Sequence, residues 1–194
     1  MNLITAIEQG IKNAQTDYIS WSNGWSISWS AEYILTVNIA QKIGKLKDTN
    51  NIDGIYIEHS VDDFASECNL DTKNSDLRSG RFDICIDIDE QKSTIIEVKN
   101  TIQHEGGKLD SIVEDIRRCQ YFIENSKSVE DAYICFLIDD KQNSDQKIEN
   151  KIEQFTNVIQ EEFKELEFEV KTSEIYKEAD NLYWASIVMR FFQK

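Results

Sequence analysis

A chain of 194 residues is long enough for one domain with a full hydrophobic core, and nothing in its composition divides it in two. Its 21 basic and 36 acidic residues give a net charge of −15, which opposes general attraction to nucleic acid. No apolar run approaches a membrane span and the N-terminus lacks a basic-then-apolar leader, so a cytoplasmic protein without membrane contact is expected. Cys68, Cys85, Cys119 and Cys135 have no metal-finger spacing and there are only two histidines, which argues against zinc.

In chain order, Leu3, Ile4, Ile7, Ile11 and Ala14 recur at the spacing of an amphipathic helix. From Tyr18 to Trp29 follows an aromatic and serine stretch in which Trp25, Ile27 and Trp29 alternate with serines and Gly24 supplies a turn. The tryptophans are expected to anchor this segment against the core, with stacking on splayed bases as the functional alternative. Ser30 then offers an N-cap to a helix over about residues 31–46, buried through Tyr33, Ile34, Val37, Ile43 and Leu46. Glu32 falls in its first turn, where a carboxylate suits the helix dipole. Residues 55–58 read as a strand ending in Glu58, and residues 69–80 as a polar connection carrying Arg78.

The densest signal is the stretch from Arg81 to Lys99. Phe82, Ile84, Ile86 and Ile88 alternate with Asp83, Cys85 and Asp87, and Ile96 and Val98 alternate with Ile95, Glu97 and Lys99. A short turn at residues 89–91 makes this a hairpin with Ile84 opposite Ile96, which sets Asp83 opposite Glu97 and Lys99 on the same face. Two facing carboxylates repel by about 4 kcal/mol at roughly 4 Å and an effective dielectric near 20. A divalent cation compensates them best, and hard oxygen ligands suit Mg²⁺ or Mn²⁺. Lys99 could polarise a water or neutralise charge on a phosphoryl group. The set reads as a phosphodiester hydrolysis site. Its structural alternative is a solvated sheet face with cross-strand Glu–Lys pairing. Glu-x-Lys alone is unspecific, since it recurs at Glu90 in the turn, at Glu149 and Glu162 in helical patterns, and at Glu169 on a strand that no aspartate-bearing hairpin strand precedes.

Beyond the hairpin, residues 100–108 form a loop with His104, read as a surface residue with proton transfer as its functional alternative. Leu109, Ile112, Val113, Ile116, Cys119 and Ile123 place one helix face on the sheet. Arg117 and Arg118 are expected off that face, gripping phosphates or, for Arg118, pairing with Glu114. Residues 132–138 form a continuous apolar strand suited to a sheet centre, ending in Asp139 and Asp140. A helix over residues 146–166 and strands around Phe168–Val170 and Leu182–Phe192 close the chain. Four of the five arginines, Arg78, Arg81, Arg117 and Arg118, flank the hairpin site in sequence, whereas residues 139–180 carry 13 acidic and 6 basic residues. Screening over roughly 8–10 Å allows a local basic groove on an acidic body.

The aspartate, the short hairpin and the apolar pair followed by Glu97-Val98-Lys99 resemble the PD-(D/E)XK nuclease superfamily, the restriction-endonuclease-like fold. Phe82 stands where proline often precedes the aspartate. The resemblance implies an α/β fold with an αβββαβ core over about residues 31–138. In that fold a central mixed sheet is flanked by helices, here with an N-terminal helix and a C-terminal αββ extension in a single domain. It implies Asp83 and Glu97 as metal ligands, Lys99 as the catalytic lysine, and a glutamate on the preceding helix completing the site. Glu32 is favoured for that role over Glu58. The expected activity is Mg²⁺-dependent cleavage of nucleic acid, DNA rather than RNA, with Arg81, Arg117 and Arg118 as strand contacts and a homodimer as one assembly. The alternative is a catalytically silent member of the fold whose acidic surface meets a protein partner.

Overall fold

The computed structural model describes residues 2–71, 80–89, 91–101, 108–141, 145–178 and 181–192. Arg78, Glu90 and His104 lie outside the described residues. The first helix, α1 (Leu3–Trp21), is capped by Asn2, whose Oδ1 accepts from the Thr5 N–H at 2.9 Å. It buries Ala6, Ile7, Ile11 and Ala14. A 3₁₀ turn, Ile27–Trp29, leads to α2 (Tyr33–Gly44). Gly10 lets the two helices approach closely, because a Cβ there would lie 2.5 Å from the Ile39 Cα.

There follow β1 (Ile52–Ser60), a short helix α3 (Val61–Glu67), β2 (Arg81–Ile88), β3 (Lys92–Lys99), α4 (Lys108–Asn125) and β4 (Val129–Lys141). The chain closes with α5 (Asp145–Glu162), β5 (Glu167–Thr172), β6 (Tyr176–Lys177) and β7 (Leu182–Phe192). From α2 to β4 this is the expected αβββαβ order with α3 inserted. The sheet runs β1-β2-β3-β4-β7-β5, with β6 also paired to β7. Only β3 and β4 are parallel among the described pairs, so the sheet is mixed. Their link through α4 is the crossover that a parallel pair requires.

Helices cover both faces, which is why the central strands read as almost unbroken apolar runs. Ile84, Ile86, Ile96, Val98, Cys135 and Leu137 pack under α1 and α2. Cys85, Ile95, Ile134 and Phe136 pack under α3, α4 and α5. Among the described residues no helix is long and apolar enough to cross a membrane.

Two local expectations are corrected and one element is added. The helix α3 was not anticipated; Ser60 caps it by accepting from the Asp63 N–H at 3.4 Å, with Asp62 and Asp63 in the first turn. Ser30 does not cap α2: its hydroxyl donates to the Ile27 carbonyl at 2.7 Å, and Glu32 occupies the cap position without a side-chain cap bond. Phe82 leaves the face of Ile84 and packs with Phe64 and Phe122, at centroid distances of 5.4 and 5.2 Å. Opposite this stretch, on the partner strand, Glu58 takes φ 57° between the pairs Ile57–Ile84 and His59–Phe82. The strict alternation is thus broken where the neighbouring strand carries a left-handed, non-glycine residue.

Candidate functional site

The β2–β3 hairpin has the anticipated register, with Ile84 opposite Ile96 and the paired residues running to Ile88 and Lys92. Past Ile84 a side chain takes over from the ladder. The Val98 N–H donates to Asp83 Oδ2 at 2.7 Å, which satisfies a strand amide and fixes the carboxylate at the end of the hairpin. One Asp83 oxygen is thereby committed to the backbone.

Glu97 is almost wholly buried, at 1% exposure, and is held by the guanidinium of Arg118 through Nη2. The same nitrogen donates to Asp115 Oδ1 at 2.8 Å, and the Arg118 guanidinium lies over the Phe82 ring at 5.1 Å. Burial pushes the Glu97 carboxyl well above the usual carboxylate range; Arg118 and Lys99 oppose this, while Asp115 and Asp83 add to it. Burial works against the charge of Arg118 too, but Glu97 and Asp115 outweigh it and raise its pKa. Among the described residues Arg118 Nε is a buried donor without a partner.

Lys99 stands between two carboxylates. Its Nζ is 2.9 Å from Asp115 Oδ2 and 3.8 Å from Glu32 Oε1. Burial disfavours the ammonium, yet Asp115, Glu32 and Glu97 together hold its pKa above the usual lysine range. Glu32 arrives from the start of α2 and is tied to the end of β3 by the Asn100 N–H, which donates to Oε2 at 3.2 Å. Burial raises the Glu32 carboxyl, Lys99 lowers it, and Asp83 and Asp115 raise it further. The side chain of Asn100 donates to the carbonyls of Ser30 at 2.8 Å and Ser28 at 3.4 Å, fastening the 3₁₀ segment to the same spot.

The fold therefore brings Glu32, Asp83, Glu97 and Lys99 together at the end of β3, where β3 and β4 run parallel. Glu58 is not among them; its Oε2 is 3.9 Å from the exposed Arg81. Arg117 faces outward and pairs with Glu162. Arg118 is the main departure: it was expected at the surface and is 8% exposed, turned inward between Glu97 and Asp115. Asp115 was not anticipated at all. Its signal lay in the helix pattern, because residue 115 falls three after Ile112 and four before Cys119, within the face that packs on the sheet.

Three carboxylates from separate elements make a hard donor set, and their chemistry fits Mg²⁺ or Mn²⁺. In the present pairing Glu97 faces Arg118 and Glu32 faces Lys99, and no group of three metal-ligating side chains converges among the described residues. An ion would be held by Asp83 together with a Glu97 that exchanges its guanidinium partner. No family model, no curated protein and no solved structure matches this chain.

Proposed function

We propose that the protein is a divalent-metal-dependent nuclease of the PD-(D/E)XK type, acting on phosphodiester bonds of nucleic acid, with DNA favoured. The observation that carries this reading is the meeting of Asp83, Glu97 and Lys99 with Glu32 at one end of a mixed sheet. A solvated sheet face, the structural alternative at the hairpin, does not account for a glutamate with 1% exposure.

A cation bound there would supply Lewis-acid stabilisation of a phosphoryl oxygen. Asp83, anchored by the Val98 amide, keeps one carboxylate oxygen for that ion. Glu97 would contribute a second oxygen, and Glu32 would orient a water or complete the ligand set. Lys99 keeps its proton at neutral pH, since its pKa lies above the usual lysine range. It therefore acts as a fixed positive charge and hydrogen-bond donor toward a developing phosphorane oxyanion, not as the base that removes the water proton.

One observation favours a second reading. The cations and carboxylates already compensate one another, as a buried polar network in a catalytically silent protein-binding module would. Incubating the protein with labelled single- and double-stranded DNA and RNA, with Mg²⁺ or with EDTA, separates the two. Metal-dependent cleavage of at least one substrate is expected. A purified, folded protein that cleaves none would move the assignment to the silent module.

A further inference from the structure

The segment leading into Glu32 presents aromatic rings where a folded protein normally hides them. Trp29 is 68% exposed and Trp25 50%, with Trp25 edge-on to Trp29 at a centroid distance of 5.9 Å. Trp21 and Tyr33, at the two ends of the same segment, are exposed as well. The expectation that the tryptophans anchor the segment is corrected, because the anchoring is done by their neighbours. Ile27 is fully buried, and its N–H donates to Oε1 of the buried Gln15 at 2.9 Å. Gln15 also donates to Ser26 Oγ at 3.5 Å. Ser22 Oγ accepts from the Trp25 N–H at 3.0 Å and donates to the Trp25 carbonyl at 3.1 Å. The backbone is pinned while the rings face solvent, so their exposure is built in.

We propose that Trp29, with Trp25 braced against it, is a stacking platform for the bases of a single-stranded or locally unpaired nucleic acid strand that is presented to the Glu32–Asp83–Glu97–Lys99 cluster. The inference rests on the nuclease reading for the identity of that cluster and names its substrate class.

Three observations select this occupant. The platform adjoins the site: Ser28 and Ser30, on either side of Trp29, both accept from the side chain of Asn100, the residue after Lys99. No charged residue falls between Asp17 and Glu32, in a chain of net charge −15, and the Asp139 carboxylate beside this segment is engaged by the Ser28 hydroxyl, which donates to its Oδ2 at 2.5 Å, so the segment itself adds no charge against a polyanion. The exposed large side chains of the segment are aromatic, not aliphatic, and every base has a face that can stack on such rings. A chain this acidic gains little from phosphate contacts, so base faces must supply much of the attraction. Paired bases inside a duplex cannot offer those faces. An unpaired strand can.

The test is fluorescence anisotropy in EDTA with fluorescein-labelled oligothymidylate and oligouridylate of about 15 nucleotides and a duplex of equal length, a span that suits a short stacking site. The wild type should bind the single strands more tightly than the duplex. Trp29→Ala should weaken single-strand binding about tenfold, within the range for losing one stacked base, while Trp29→Phe retains most of it. Because Trp29 is exposed, its replacement should leave the thermal transition unchanged, which is checked in parallel. Equal binding by Trp29→Ala and wild type, tighter binding of the duplex, or no binding by the wild type would overturn the proposal. So would a Trp29-dependent dimer in sedimentation without oligonucleotide binding, which would make the surface a contact with a second copy. Cleavage of the same probes in Mg²⁺ is scored separately. Trp29-dependent binding without cleavage removes the nuclease reading and keeps the platform; cleavage indifferent to Trp29 does the reverse.

Discussion

Lys99→Ala is expected to lower Mg²⁺-dependent cleavage by about a hundred- to a thousandfold, the usual cost of removing one fixed donor to a developing oxyanion. Lys99 is the last residue of β3, two residues from Glu97 and therefore on the same side of the pleat, and its ammonium bridges Asp115 and Glu32. Three carboxylates hold the proton on, so the charge is present through the neutral range. The variant should fold, because Asp115 retains Arg118 and Glu32 retains the Asn100 amide. Far-UV circular dichroism and the thermal transition check this. Lys99→Arg should recover only part of the activity, since a planar guanidinium does not reproduce a compact ammonium. Wild-type cleavage by Lys99→Ala would remove the lysine from the mechanism.

Arg118→Met is expected to destabilise the fold by about 3–5 kcal/mol, the range found when one partner of a buried ion pair is removed. Glu97 would be left with 1% exposure and without its nearest cation. Against a total stability of about 5–15 kcal/mol this is a large loss, readable by urea unfolding. The double variant Glu97→Gln with Arg118→Met should recover most of it, because a neutral amide needs no counter-charge. The pH dependence has a definite sign. Burial already raises the Glu97 carboxyl, and without Arg118 it rises further. A carboxyl whose folded pKa exceeds its unfolded value takes up a proton on folding. Its contribution is complete below the ordinary carboxylate pKa and is lost as pH rises through the folded value. The deficit of Arg118→Met should therefore narrow on acidification. Unfolding at the wild-type urea midpoint would show that the pair contributes little.

The sequence made the frame of this site legible because strand periodicity is local. Alternation over residues 81–99 set the Ile84–Ile96 register, and an unbroken apolar run marked β4 as central. What stayed hidden depends on residues far apart. Arg118 looked like a surface cation because it neighbours the exposed Arg117, yet helix geometry turns adjacent residues by about 100° and delivers it to Glu97 on another element. Asp115 was legible in principle as a carboxylate within the buried helix face. The side taken by Phe82 was not, since the alternation breaks opposite a left-handed Glu58 on the neighbouring strand, which no local pattern in residues 81–99 signals. The tryptophans read as core because burial is the usual fate of large rings, and the alternation did not reveal that Ile27 and Gln15 anchor the segment instead.

Whether these carboxylates form a divalent-cation site is decided by calorimetric titration of Mg²⁺ or Mn²⁺ into the wild type and Asp83→Ala. Asp83 is the carboxylate of choice because the Val98 amide, not a side-chain cation, holds it. Saturable binding by the wild type that disappears in Asp83→Ala is the predicted result. No binding by the wild type, or the same isotherm for both proteins, would contradict it.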